Sequence, residues 1–181
     1  MTLLAVSLGR SSADQAAQVR TKFRRIQAGN LRAGTVVAFT PAQLNAYALS
    51  ELTSVVPQGI RQPRVELGNG TATGYAFIDF LRIQQPGQSS NVPWLIARLI
   101  EGERSVKVST RIVSAGGKAT VFLQRVEISG VGVSGGALDF LINEFFLPLY
   151  PGARINEPFL LGNKIERIEV TTAGASVVIG P

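Results

Sequence analysis

The chain has 181 residues, 45% of them apolar and 17% charged, which suits one folded domain and not a disordered segment. It contains no cysteine and no histidine, which excludes disulfides, thiolate metal sites, cysteine nucleophiles and Ser-His-Asp triads. The formal charge of +6 is concentrated at one end: residues 1–35 hold Arg10, Arg20, Lys22, Arg24, Arg25 and Arg32 against Asp14, while the rest is nearly neutral. That placement argues against nucleic acid as a partner, because no basic groove-binding body remains.

The apolar start Met1–Leu8 fits either the trimmed end of an export signal or a plain N-terminal strand. Ser12 can cap a helix over Ala13–Gln27, with Gly29 at its stop position. Its narrow apolar face is Ala16, Val19, Phe23 and Ile26, and Arg20, Lys22, Arg24 and Arg25 surround it. Such a helix either packs on the body as a solvated element or meets an anionic membrane or a partner through those cations. We therefore separate residues 1–35, a basic amphipathic helix with a candidate signal remnant, from a single domain over 36–181.

A strand is expected over Gly34–Phe39. Thr40, Pro41 and Gln43 then form a helix start, with Thr40 as cap and Gln43 completing a capping box. Leu44, Tyr47, Ala48 and Leu52 make the buried stripe of that helix. Gly68-Asn69-Gly70 reads as a hairpin turn between Arg64–Leu67 and Thr71–Ile83. The second arm is apolar on both faces and is expected to be a central, covered strand. Gln84–Asn91 reads as a polar loop. Pro93–Glu101 suits a short helix that turns Trp94, Leu95 and Leu99 inward. In Ser105–Ser114, Val106, Val108 and Ile112 alternate with Lys107, Ser109 and Arg111, as in a half-buried antiparallel strand. The Ala115–Lys118 turn leads into Ala119–Ser129, where Phe122, Val126 and Ile128 are expected to share a face.

The most apolar stretch runs from Val126 to Pro151. Its glycines, Gly130 to Gly136, lack both dinucleotide-loop spacing and a Walker lysine, so they read as a bend and not as a phosphate site. Leu138, Leu141, Ile142 and Phe145 recur at helical steps, Phe146 extends the stripe, and Pro148 ends it. Phe140 falls on the opposite side, so it is either covered by a second layer or exposed to a partner or membrane. The chain then reads as irregular to Asn163 and closes with strands Lys164–Thr172 and Ser176–Ile179. The expected architecture is α+β: a curved antiparallel sheet of about seven strands with three to four helices packed on it.

The stretch Thr40-Pro-Ala-Gln-Leu-Asn-Ala resembles the T-x-x-x-L-N-A helix start of small bacterial envelope domains related to the tubular lipid-binding proteins, including the mycobacterial mannan-chain-length-factor family. The Gly-Val-x-Val element at Gly130–Val133 and Pro158-Phe159-Leu-Leu-Gly162 are similar too. The resemblance covers most of residues 36–180. It implies a curved sheet wrapped on helices around an elongated apolar cavity, and no catalytic residues. The basic first helix and the lack of a complete export signal depart from that pattern.

These readings lead us to expect a non-enzymatic domain of the periplasm or cell envelope that binds a lipid or other apolar small molecule, with no cofactor or metal. A cytoplasmic location and a homo-oligomer remain open. The expected apolar lining is Leu44, Tyr47, Trp94, Leu95, Leu138, Leu141, Phe145 and Phe146. Arg20, Lys22, Arg24, Arg25 and Phe140 are the candidates for membrane or partner contact. One alternative is an interaction or structural module with a solid core. The other is an enzyme built on Asp79, set among Phe77, Ile78, Phe80 and Leu81, with a tyrosine such as Tyr75; the plain reading of Asp79 is an ion pair with Arg82 or Arg111.

Overall fold

A computed structural model describes residues 11–56, 58–83 and 91–181. The apolar start Met1–Leu8 and nearly all of the Gln84–Asn91 segment lie outside them.

Helix α1, Ser12–Gln27, starts one residue earlier than expected, because it is the Ser11 side chain that accepts the Asp14 amide at 3.2 Å. Strand β1 is Val36–Phe39 and helix α2 is Pro41–Val55. The capping box forms as read: Gln43 N donates to Thr40 Oγ1 at 3.2 Å, and Thr40 N donates to Gln43 Oε1 at 3.2 Å. Then come β2 (Ile60–Gly68), β3 (Thr71–Asp79), a single helical turn α3 (Phe80–Ile83), and α4 (Trp94–Ile100). Strands β4 (Glu103–Ala115), β5 (Lys118–Ile128) and β6 (Val131–Val133) lead into α5 (Gly135–Leu141), which continues as a π-helical turn over Ile142–Phe146. Strands β7 (Pro158–Leu160), β8 (Ile165–Thr171) and β9 (Gly174–Ile179) complete the chain.

The α+β architecture is the one expected, and every strand pair is antiparallel. The strands divide between two sheets, however. Six form a sheet in the order β2-β3-β4-β5-β6, with β7 also on β5, and three form a second sheet, β1-β9-β8. The small sheet lies across the hairpin tips of the large one. Gly70 N donates to Val170 O at 2.9 Å, Gly117 N to Glu166 O at 2.8 Å, and Ile168 N to Ser114 Oγ at 2.9 Å. Two apolar clusters result. One lies under the large sheet and includes Ile100, Ile128, Leu141 and Phe145. The other joins α1, β1 and β9 through Val19, Ile26, Phe39, Val177 and Ile179.

Three local readings are corrected. Strand β3 ends at Asp79, whose carboxylate accepts the Arg82 amide at 3.3 Å and pairs with the Arg82 guanidinium at 3.1 Å, so it caps the α3 turn. The outer face of β3 is open and leaves Phe77 39% exposed, so this strand is not covered on both sides. In β5 the register passes from Ser109↔Arg125 to Thr110↔Leu123, which makes Gln124 a bulge. One extra residue reverses every side chain beyond it. Val126 and Ile128 therefore share the inner face with Leu123 and Val121, while Phe122 turns outward beneath the Arg111 guanidinium at 4.6 Å. Finally, α4 buries Ile96 and Ile100 and leaves Trp94 and Leu95 68% and 64% exposed. Leu95 and Leu99 share one step of four and Ile96 and Ile100 another, so periodicity alone does not choose between the two stripes.

Gln43 carries a polar junction that the sequence reading missed. It is buried, its amide donates to Gln18 Oε1 at 2.9 Å, and its carbonyl accepts Lys22 Nζ at 2.9 Å. Burial also lowers the Lys22 ammonium from its ordinary range. Gln43→Ala leaves Lys22 and the Thr40 amide short of an acceptor. It is expected to lower stability by about 1–3 kcal/mol in urea unfolding. Gln43→Glu, which keeps the acceptor, is expected to lose less.

Candidate functional site

The inner face of the large sheet is built from two kinds of residue. On β3 two successive inward positions are small, Gly74, with open space where a Cβ would stand, and Ala76, before Ile78. Their register partners on β4 are Val108 and Val106, and these in turn face Val126 and Ile128 on β5. The small residues leave room that the valines do not fill. Across that room stands the apolar side of α5, with Leu138 and Leu141, followed by Ile142, Phe145, Phe146 and Leu149. Leu52 of α2, Ile60 of β2 and Phe80 and Ile83 of α3 also line the space.

The space between these walls is a cavity of about 340 Å³. Among the described residues, Thr110 and Tyr150 are the only ones on its wall with a polar side-chain atom. Its size sits at the low end of small-molecule sites, which run from roughly 300 to 1,000 Å³. The π turn shapes one wall. Leu147 N donates to Ile142 O at 2.9 Å, five residues back, just before Pro148, which has no amide to give. The widened turn lets Ile142 and Phe146 join Leu141 and Phe145 on the cavity. A second, more open hollow of about 750 Å³ adjoins it, sharing Val121, Phe146 and Ile155 and reaching the exposed Leu160 on β7. The two hollows together run from under the sheet to the surface, with Arg154 on the wall of the outer one.

No family model, curated protein or solved structure matches the chain. Among the described residues there is no group of acidic side chains able to hold a metal, and no helix is long and apolar enough to cross a membrane.

The expected lining is half assembled. Leu138, Leu141, Phe145 and Phe146 meet on the cavity. Leu44 and Tyr47 pack instead in the second cluster, where Phe23 meets Tyr47 edge-on at 5.2 Å. Trp94 and Leu95 face outward. Phe140 is half-buried, packed against the first cluster and edge-on to Phe145 at 6.3 Å. Of the basic side chains, Arg20 is tied to Glu51 at 2.9 Å and to Ser50, and Lys22 turns in to Gln43 and Ala38 O. Arg24 donates to Thr21 Oγ1 at 3.3 Å, and both Arg24 and Arg25 are exposed. The sequence reading missed Ile78, Leu123 and Ile155 as lining. The alternation of Ala72, Gly74 and Ala76 with larger residues was the signal for the hollow.

The polar candidates are elsewhere and already engaged. Asp79 is held by Arg82, whereas the Tyr75 hydroxyl donates to Glu66 Oε2 at 3.0 Å. The pair therefore does not converge on one point. Tyr75 lies in an outer-face groove with the Arg64 guanidinium over its ring at 4.5 Å. Beside it Glu127 pairs with Arg125 at 2.8 Å and Lys107 at 3.4 Å. Desolvation works to raise the Glu127 carboxyl, but the two cations outweigh it and hold the group below its ordinary range. A carboxyl depressed in the fold contributes stability above its unfolded value and loses it as pH falls through the folded one. The acid limb of the unfolding midpoint should therefore be shallower in Glu127→Gln than in the parent when followed by circular dichroism. Parallel acid limbs would contradict this.

Proposed function

We propose that the chain binds a lipid or other apolar ligand without catalysis, holding it between α5 and the inner face of the large sheet. The observation that carries this reading is the cavity of about 340 Å³ whose wall, among the described residues, is apolar except for Thr110 and Tyr150. The hollow is open to solvent on one side, so water reaches its rim, while most of its inner wall carries no group able to hold a water. An alkyl chain fits both facts, gaining about 0.8 kcal/mol for each methylene removed from water. The resemblance of the Thr40–Ala46 helix start to envelope lipid-binding domains supports the same ligand class and an envelope location. Arg24 and Arg25, exposed on α1, supply cations for an anionic membrane surface.

Dodecan-1-ol is a direct probe. Saturating it to about 100 times its dissociation constant should stabilise the fold by about 2.7 kcal/mol. For a chain of this length that is an upward shift of roughly 5–10 °C in the melting temperature. An unchanged melting temperature across the soluble range of the alcohol would overturn the proposal.

A further inference from the structure

The hollow outside the apolar cavity carries a charge that the cavity lacks. The two spaces meet at Val121, Phe146 and Ile155, which wall both of them. Among the described residues, Arg154 is the one side chain on the wall of the outer hollow that is charged or polar. It precedes Ile155 in the chain, so the cation stands where the cavity opens. The backbone holds this segment against β5: Asn156 N donates to Val121 O at 2.9 Å, and Leu123 N donates to Asn156 Oδ1 at 2.8 Å. Ala153 N donates back to Tyr150 O at 2.9 Å, which ties the segment to the end of the helical wall. Arg154 pairs with Glu157 through Nη1 alone, at 3.5 Å, and both side chains are exposed. A single contact of that length in solvent holds the two residues weakly. Glu157 lines a neighbouring hollow and not this one. The Nε–Nη2 edge of Arg154 is uncommitted among the described residues.

We infer that Arg154 anchors the head of the ligand, and that the ligand is an anionic amphiphile with its alkyl chain in the cavity and its carboxylate or phosphate in the outer hollow. The inference rests on the apolar-ligand reading above and adds the chemistry of the head. The Nε and Nη2 hydrogens form a planar fork that matches two oxygens of one carboxylate or phosphate. The wall around Arg154 offers a head group no competing acid among the described residues. A hydroxyl head receives only a single hydrogen bond there, and a quaternary ammonium has no proton to share and meets a like charge.

The test is displacement of a bound fluorescent alkyl probe by four twelve-carbon amphiphiles below their micellar concentrations: dodecanoate, dodecyl phosphate, dodecan-1-ol and dodecyltrimethylammonium. At least one anion should compete about tenfold more tightly than the alcohol, the ratio expected of a charge-assisted hydrogen bond. The tighter of the two anions distinguishes a fatty acid from a phosphate-bearing lipid. Arg154→Gln should abolish the preference and leave the affinity for dodecan-1-ol unchanged, whereas Arg154→Lys, which keeps the charge without the fork, should retain part of it. Arg24→Gln, on the exposed side of α1, controls for the net positive charge and should leave the preference intact. Equal competition by all four heads, a preference for the alcohol or the ammonium, or an anion preference that survives Arg154→Gln would overturn this inference and leave chain binding intact. Failure of the probe and every amphiphile to bind would overturn both readings.

Discussion

Gly174→Ala should be the most damaging single-methyl change in the fold, lowering stability by roughly 3–5 kcal/mol in urea unfolding. Two independent effects add there. The residue has φ +145, a backbone conformation that alanine rarely adopts. A Cβ would also fall well inside contact distance of the Phe39 carbonyl oxygen and lie 3.2 Å from its carbon. These are backbone atoms at the junction of β1 and α2, so no side-chain rotation relieves the clash. Separating them disturbs the Phe39↔Ala175 pairing and the second core behind it. Gly136→Ala is the control, since its Cβ would meet nothing within 4 Å and its φ lies outside the positive range. A Gly174→Ala protein within about 1 kcal/mol of the parent would show that the β1–β9 junction is wrongly placed.

The second large effect concerns binding. Ala76→Phe puts a ring into the hollow left by the small residues of β3. Ala76 lines the cavity and stands in register with Val106. In a filled core such an insertion costs about 1–3 kcal/mol through forced rotamers and backbone shifts. Over an empty hollow it gains buried surface instead, at roughly 25 cal/mol per Å². The ligand-free variant is therefore expected to be at least as stable as the parent, and its affinity for dodecan-1-ol should fall by tenfold or more. Isothermal titration and urea unfolding on the same sample measure both. A variant that is destabilised yet still binds the alcohol would contradict the assignment of the ligand to this cavity.

How much of this was legible depends on whether the signal was local. The capping box at Thr40–Gln43, the Gly68-Asn69-Gly70 turn and the Leu138–Leu141–Phe145 stripe are fixed by neighbours in sequence, and all three formed. The α+β class followed from counting such segments. The division into two sheets did not, because β1 pairs with β9 across almost the whole chain and no local pattern specifies that partner. Phe122 was misassigned because a one-residue bulge at Gln124 is invisible to strict alternation. Trp94 and Leu95 were misassigned because α4 offers two stripes of equal spacing, and the core takes Ile96 and Ile100. Lys22 counted as a surface cation because its charge carries no sign of the buried Gln43 that receives it. The cavity itself was half readable: its α5 wall from hydrophobic periodicity, its sheet wall only once the register placed Gly74 and Ala76 opposite Val108 and Val106.

The central claim is that an alkyl chain belongs in the space between α5 and the sheet. Native mass spectrometry of the full chain, extracted mildly from cells that express it, addresses this directly. The account predicts a population heavier than the polypeptide by the mass of one lipid, lost on delipidation and restored by added dodecan-1-ol in the parent but not in Ala76→Phe. A single species at the polypeptide mass, unchanged by added alcohol, would contradict it.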